Sequence, residues 1–239
     1  MGVKSSINGI SGKDGVKSLV KNSRFLSKIY NHCFVKLKRY YQQTRIRNRG
    51  LGVLQVIHEA LNAEGLTYFV DFGTLLGVVR EGRFIRHDLD IDIGVMLEDD
   101  CTFDRVRRTL LDFGCVHKMD FSYKGRVVEQ SWCLRGIKFD VCFYEKNSAQ
   151  CVCYLFYREM EREYPKDQMN VVKMTYSLIE GTEDCNFMGI LVRIPKNPER
   201  LLEEKYGESW RTPDKSWIYW KAPNAEYCDE LGKVTTNVK

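Results

Sequence analysis

The sequence predicts an α+β domain, a mixed sheet with flanking helices, behind a basic N-terminal helical extension. Three observations predict it. Apolar residues at helical spacing are interleaved with short runs of strand character, and beyond Gly114 the pattern becomes strand-rich. One of these runs alternates Asp with Leu and Ile. Charge is divided along the chain: residues 1–50 hold twelve Lys and Arg against Asp14 alone, +11, so the remainder carries −6 of the total +5.

The extension comes first. Residues 1–22 are rich in Gly, Ser and Lys and predict little order, and Met1-Gly2-Val3-Lys4-Ser5-Ser6 fits an N-myristoylation pattern. Phe25, Leu26, Ile29, Tyr30, Cys33, Phe34, Leu37, Tyr40 and Tyr41 then recur at helical spacing, flanked by Lys28, Lys36, Lys38 and Arg39. Such a helix either packs on the domain or lies on an anionic membrane; the period suits both. The basic leader points to an anionic partner, lipid headgroups or nucleic acid. Neither a transmembrane-length apolar run nor a secretory leader is evident, and the nine cysteines form no C-x-x-C pair. These features predict reduced thiols and a cytoplasmic protein, peripheral on the cytoplasmic face of the membrane.

A second helix runs through Leu51, Leu54, Ile57 and Leu61 to a C-cap at Gly65. Thr67–Val70 is a buried strand, followed by Gly73-Thr74-Leu75-Leu76-Gly77, where the chain turns into a short helix. Asp90–Val95 is the next strand. Phe103, Val106, Leu110 and Leu111 lie on a helix ending at Gly114. Residues 126–134 and 137–144 flank a hairpin turn at Arg135-Gly136, and 151–157 is a core strand. Asn197-Pro198-Glu199 opens a last helix that stops at Gly207.

The chemistry concentrates in the alternating run. On one strand Asp88, Asp90 and Asp92 are expected to project to the same side, where like charges repel and packing offers no compensation. Hard carboxylate oxygens suit Mg²⁺, which would supply it. Asp140 sits alone in the apolar run Ile137–Phe143, and an unpaired buried carboxylate wants a cation. Lys138 is expected on the opposite face, which favours a metal role for Asp140. Gly73 and Thr74, at a strand-to-helix turn, could grip an anion through backbone N–H groups and a hydroxyl. Arg80 could add charge there or pair with Glu81, and His87 precedes the acidic strand.

These elements together resemble the nucleotidyltransferase superfamily, defined by a Gly-Ser/Thr turn, an Asp-x-Asp strand and a later strand Asp. More narrowly, Gly73–Gly77, Arg80, Phe84-Ile85 and Asp88–Asp92 resemble the LicD family, which includes the fukutin-related proteins. That family's run reads G-G-T-L-L-G-x-x-R, then F-I-P-W-D-D-D-I-D. Pro195–Pro198, Leu201, Tyr206-Gly207 and Trp210 are similar to its C-terminal end. This chain departs at Phe72 for Gly, Arg86 and His87 for Pro-Trp, and Leu89 for Asp. The resemblance divides the chain into a basic extension (1–49), a catalytic domain of nucleotidyltransferase-like fold (50–213) and a tail (214–239).

It implies a phosphotransferase that moves a phosphoalcohol of the choline, glycerol or ribitol type from a CDP-activated donor to a hydroxyl of a glycan or glycolipid, releasing CMP. Asp90, Asp92 and Asp140 would be catalytic and hold Mg²⁺ or Mn²⁺, as two ions. Gly73, Thr74, Arg80, His87 and Asp88 are the candidate substrate-binding residues. Nucleotidyl transfer to a small molecule or RNA, and a non-catalytic membrane- or nucleic-acid-binding role, are the alternatives; the family-like run around Asp90 argues against the first and the intact carboxylate trio against the second, and nucleic acid is not the expected partner.

Overall fold

The computed structural model describes the backbone of residues 24–237 and the side chains of 33–237. The expectations for residues 1–22, and for the side chains of Phe25, Leu26, Lys28, Ile29 and Tyr30, lie outside the described residues. The chain divides into two compact units, Met1–Gln42 and Gln43–Lys239.

Helix α1, Arg24–Ala63, runs unbroken for 40 residues, where the sequence patterns suggest two helices. The intervening Gln42–Arg49 has no Pro and is rich in Gln and Arg, good helix formers, so nothing stops the first helix before the second begins. Within the first unit Phe34, Val35, Leu37, Tyr40 and Tyr41 are each more than half exposed, and Lys36, Lys38 and Arg39 are exposed beside them. No helix among the described residues is long and apolar enough to cross a membrane.

In the second unit α1 buries Ile46, Val53, Leu54, Ile57, Ala60 and Leu61. The sheet begins with β1, Tyr68–Val70, antiparallel to β2, Asp90–Met96. Gly94 lies opposite Phe69, and a Cβ there would stand 2.4 Å from the Phe69 ring, so only glycine lets this pair close. Between these strands lies the short helix α2, Phe72–Leu76, which runs into a π-helical turn, Gly77–Glu81. Helix α3, Thr102–Asp112, buries Val106 and Leu110.

The remaining strands are β3 (Val116–Tyr123), β4 (Arg126–Leu134), β5 (Ile137–Lys146), β6 (Gln150–Tyr157) and β7 (Gln168–Ser177). A separate hairpin, β8 (Thr182–Phe187) and β9 (Ile190–Pro195), precedes α4, Pro198–Tyr206. The chain then adds β10 (Ala225–Tyr227) and β11 (Gly232–Thr236). The expected hairpin at Arg135-Gly136 forms, with φ of 50° and 77°, the twist that suits a two-residue turn between right-twisted strands. Lys124-Gly125 makes the same turn between β3 and β4.

Antiparallel pairings join β3, β4, β5, β6, β7 and β11 into a closed ring, since β11 pairs with both β3 and β7. Phe121, Tyr123, Val128, Phe156 and Val171 form an apolar cluster on these strands. β2 joins β5 in parallel, the one parallel pairing among the described residues. The expected mixture of helix and mixed sheet is therefore present, with a largely antiparallel sheet. The parallel pair sets the site, because it aligns Asp90 with Lys138 and Asp92 with Asp140.

Candidate active site

Strand alternation puts Asp90 and Asp92 on one face of β2, and the parallel register sets Asp140 beside Asp92. All three open on a cleft of about 430 Å³, together with Glu129, Lys138, Phe72, Lys205 and Tyr206. The carboxyls are crowded. Burial, then the charges of Asp90, Asp140, Asp71 and Asp88, push the Asp92 pKa well above the usual range. Burial raises Asp140 as well, against the opposing pull of Lys138. Glu129, half-buried on the same cleft, is raised to about 8 by desolvation and by the charge of Asp140.

Two expectations need correction. Asp88 is not on the strand: β2 begins at Asp90, and Asp88 lies in the preceding turn. Its carboxyl, raised to about 7 by burial and by Asp90, approaches Gly73 so closely that a Cβ at 73 would stand 3.3 Å from Oδ2. Lys138 does not point away from Asp140. Residues two apart on a strand share a face, and Nζ donates to Asp140 Oδ2 at 2.6 Å while standing 3.6 Å from Asp90 Oδ2. Burial works against that ammonium, but Asp140, Asp90 and Glu129 together raise its pKa.

The Gly-Thr turn serves Asp92. The Gly73 N–H donates to Asp92 Oδ2 at 3.2 Å, and the Thr74 hydroxyl accepts the Asp92 N–H at 2.9 Å. Asp71, fully buried, caps α2 by accepting the Phe72 N–H. Phe72 itself has φ of 38°, a left-handed conformation that costs a non-glycine residue. Its ring lies 3.7 Å from the ammonium of Lys205, a side chain that is 2% exposed. Lys205 Nζ pairs with Asp71 Oδ1 at 3.0 Å and donates to the Tyr144 hydroxyl, which in turn donates to Asp71. This buried Lys–Asp–Tyr set ties α4 and β5 to the turn that holds Asp92.

Two further candidates lie apart from the cleft wall. Arg80 donates to the Trp210 carbonyl and pairs with Glu81, so it fastens the π-turn to the segment after α4. His87 is exposed in the turn before β2. Glu129 and Lys205 were not singled out from the sequence. Glu129 is one polar residue in an alternating strand, and Lys205 reads as a surface lysine on an amphipathic helix.

Does the site suit a metal? Among the described residues no three His, Cys, Asp or Glu side chains stand in ligand geometry around one point. The donor chemistry fits nonetheless. Asp90, Asp92 and Asp140 offer hard oxygens, and the raised pKa values of Asp92 and Asp140 express burial and repulsion that a divalent cation would offset. Asp140 Oδ1 is buried and accepts no hydrogen bond of normal geometry, although Ser131 stands beside it across the strand pair. All nine cysteines are free.

A family model described as LicD/FKTN/FKRP, nucleotidyltransferase domain, matches residues 65–197. Mouse (Mus musculus) ribitol-5-phosphate transferase FKTN is 23% identical over 212 residues, 85% of this chain and 43% of that protein. Mouse ribitol 5-phosphate transferase FKRP is 29% identical over 150 residues, 62% of this chain and 29% of that protein. The chain thus spans less than half the length of these relatives. A solved structure of ANT(2″)-Ia in complex with adenylyl-2″-tobramycin aligns with a TM-score of 0.41 and 16% identity, over 71% of this chain and 81% of that one. That likeness is too slight to bear on fold or chemistry.

Proposed function

The chain belongs to the LicD/FKTN/FKRP nucleotidyltransferase-domain family, and from that membership we propose that it is a metal-dependent phosphotransferase with a nucleotidyltransferase-type catalytic fold. It moves a phosphoalcohol from a CDP-activated donor to a hydroxyl of a glycan or glycolipid and releases CMP. The observation that carries this reading is the convergence of Asp90, Asp92, Asp140 and Glu129 on one cleft, where burial and mutual repulsion leave carboxylates in need of cations. The printed activity of the two relatives, ribitol-phosphate transfer, supports the phosphoalcohol class.

Asp90, Asp92 and Asp140 would hold two Mg²⁺ or Mn²⁺ ions, whose chemistry when bound is to neutralise phosphate charge. The rest falls to the chain's own groups. Gly73 and Thr74 fix the Asp92 backbone and carboxyl, and the buried Lys205–Asp71–Tyr144 set fixes that turn in its place. Asp140 accepts the proton of the attacking acceptor hydroxyl. The hydroxyl oxygen bonds to the phosphorus that bears the alcohol, the bond to the CMP oxygen breaks, and CMP leaves with the electron pair. Phe72, Tyr206, Trp217 and Tyr219 line the apolar side of the cleft and exclude water from the donor. The exposed aromatic and basic residues of Cys33–Tyr41 support peripheral contact with an anionic membrane on its cytoplasmic face, beside a lipid-linked acceptor.

The test supplies CDP-choline, CDP-glycerol or CDP-ribitol with Mg²⁺ and a panel of glycan acceptors. CMP release with one donor is the expected result. Release from none of them, or pyrophosphate release from a nucleoside triphosphate instead, would overturn the reading.

A further inference from the structure

Lys138 occupies an unusual position for a lysine. Its ammonium sits at 2.6 Å from Asp140 Oδ2 and 3.6 Å from Asp90 Oδ2, bridging two carboxylates that belong to adjacent parallel strands. It is the ammonium seated in the carboxylate cluster. Lys205, the other lysine of the cleft, is committed to Asp71. We propose that Lys138 is a two-position residue, the resident counter-cation of the ion site until a divalent ion displaces it, and thereafter a contact for the donor phosphates. This rests on the metal-dependent reading above and adds a role for a residue outside the ligand set.

First, the place is contested. A divalent ion bonded to Asp140 Oδ2 at about 2.0–2.1 Å cannot share that oxygen's cleft side with an ammonium hydrogen-bonded to it at 2.6 Å. Second, one positive charge under-compensates the site. Asp90, Asp92, Asp140 and Glu129 all face the cleft, and Asp140 Oδ1 still lacks a hydrogen bond of normal geometry. A doubly charged ion with more coordination positions satisfies oxygens that the ammonium leaves over. Third, Lys138 can leave. Its side chain is 43% exposed and ends a flexible four-carbon stem, so it can swing along the cleft without crossing the core. Glu129 lines the same cleft, and anionic phosphate would give the released charge a second partner.

The exchange makes a prediction that a passive salt bridge does not: removing the lysine should tighten metal binding. Mn²⁺ alone, titrated into the full chain and followed by the electron paramagnetic resonance of the free ion, should bind Lys138→Met about tenfold more tightly than the unaltered protein. Lys138→Arg, which keeps the charge, should bind no more tightly than the unaltered protein. In the unaltered chain, saturating Mg²⁺ should raise acetylation of the Lys138 amine severalfold, read by mass spectrometry. With metal saturating, Lys138→Met should raise the KM for the nucleotide donor about tenfold. Equal or weaker Mn²⁺ binding by Lys138→Met, or acetylation insensitive to Mg²⁺, overturns the exchange while leaving the metal site standing. An unchanged donor KM overturns the phosphate contact. Mn²⁺ binding to none of the three proteins overturns the metal reading itself, and the exchange with it. The acetylation arm uses the unaltered chain, so the exchange stays refutable if a variant fails to fold.

Discussion

At the scale of single residues, the site is a set of carboxyls whose ionisation is opposed by burial and by one another. Asp88 is raised to about 7 and Glu129 to about 8, against an ordinary carboxyl of about 4. The sign follows from proton linkage. Between those values the folded chain holds protons that the unfolded chain has released, so stability falls as pH rises through this window. Metal-free protein should therefore melt at a higher temperature at pH 5 than at pH 8, and Mg²⁺ should raise the melting temperature more at pH 8. A melting temperature that climbs with pH in the absence of metal would contradict this. Asp92 is fixed at its carboxyl by the Gly73 N–H and at its backbone N–H by the Thr74 hydroxyl. Asp92→Asn keeps the shape and removes the charge, and should lower turnover by about 10²–10³-fold with the melting temperature preserved. Retained turnover would remove Asp92 from the site.

At the scale of elements, two connections fix the geometry: the parallel pairing of β2 with β5, and the buried Lys205 that joins α4 to the α2 cap. Lys205→Met would leave Asp71 charged and unpaired in the core, at a cost of about 3–5 kcal/mol. Urea denaturation measures it, and a loss under about 1 kcal/mol would mean that the pair is no more than a surface-grade contact. Much at this scale was legible. The Asp-Leu-Asp-Ile-Asp alternation announced β2, Arg135-Gly136 announced the β4–β5 turn, and Pro198 with Gly207 bracketed α4. Those signals are local. The illegible part is non-local. Nothing near Lys205 shows that its partner is Asp71, and nothing near Gly232–Thr236 shows that this strand will join β3 to β7. Asp88 was misplaced because strand alternation was extended past the first paired residue. Lys138 shares the face of Asp140, contrary to the sequence expectation, because residues two apart on a strand point the same way.

At the scale of the whole molecule, the strongly basic leader precedes a compact unit that carries the entire cleft. The exposed Phe34, Leu37, Tyr40 and Tyr41 alternate with Lys36, Lys38 and Arg39, which suits a headgroup layer. Removing residues 1–42 should abolish binding to vesicles that contain anionic lipid, since each basic residue near such a surface contributes about 1 kcal/mol. Sedimentation with vesicles checks this, and undiminished binding by the chain from Gln43 onward would discard the membrane role.

The proposed chemistry requires divalent ions between the two neighbouring strands β2 and β5. Crystals soaked in Mn²⁺ and measured at the manganese absorption edge would locate those ions directly. Anomalous peaks within ligand distance of Asp90, Asp92 and Asp140, with Lys138 moved off Asp140, are the predicted result. A fully soaked crystal with no peak there, or with manganese bound only elsewhere, would contradict it.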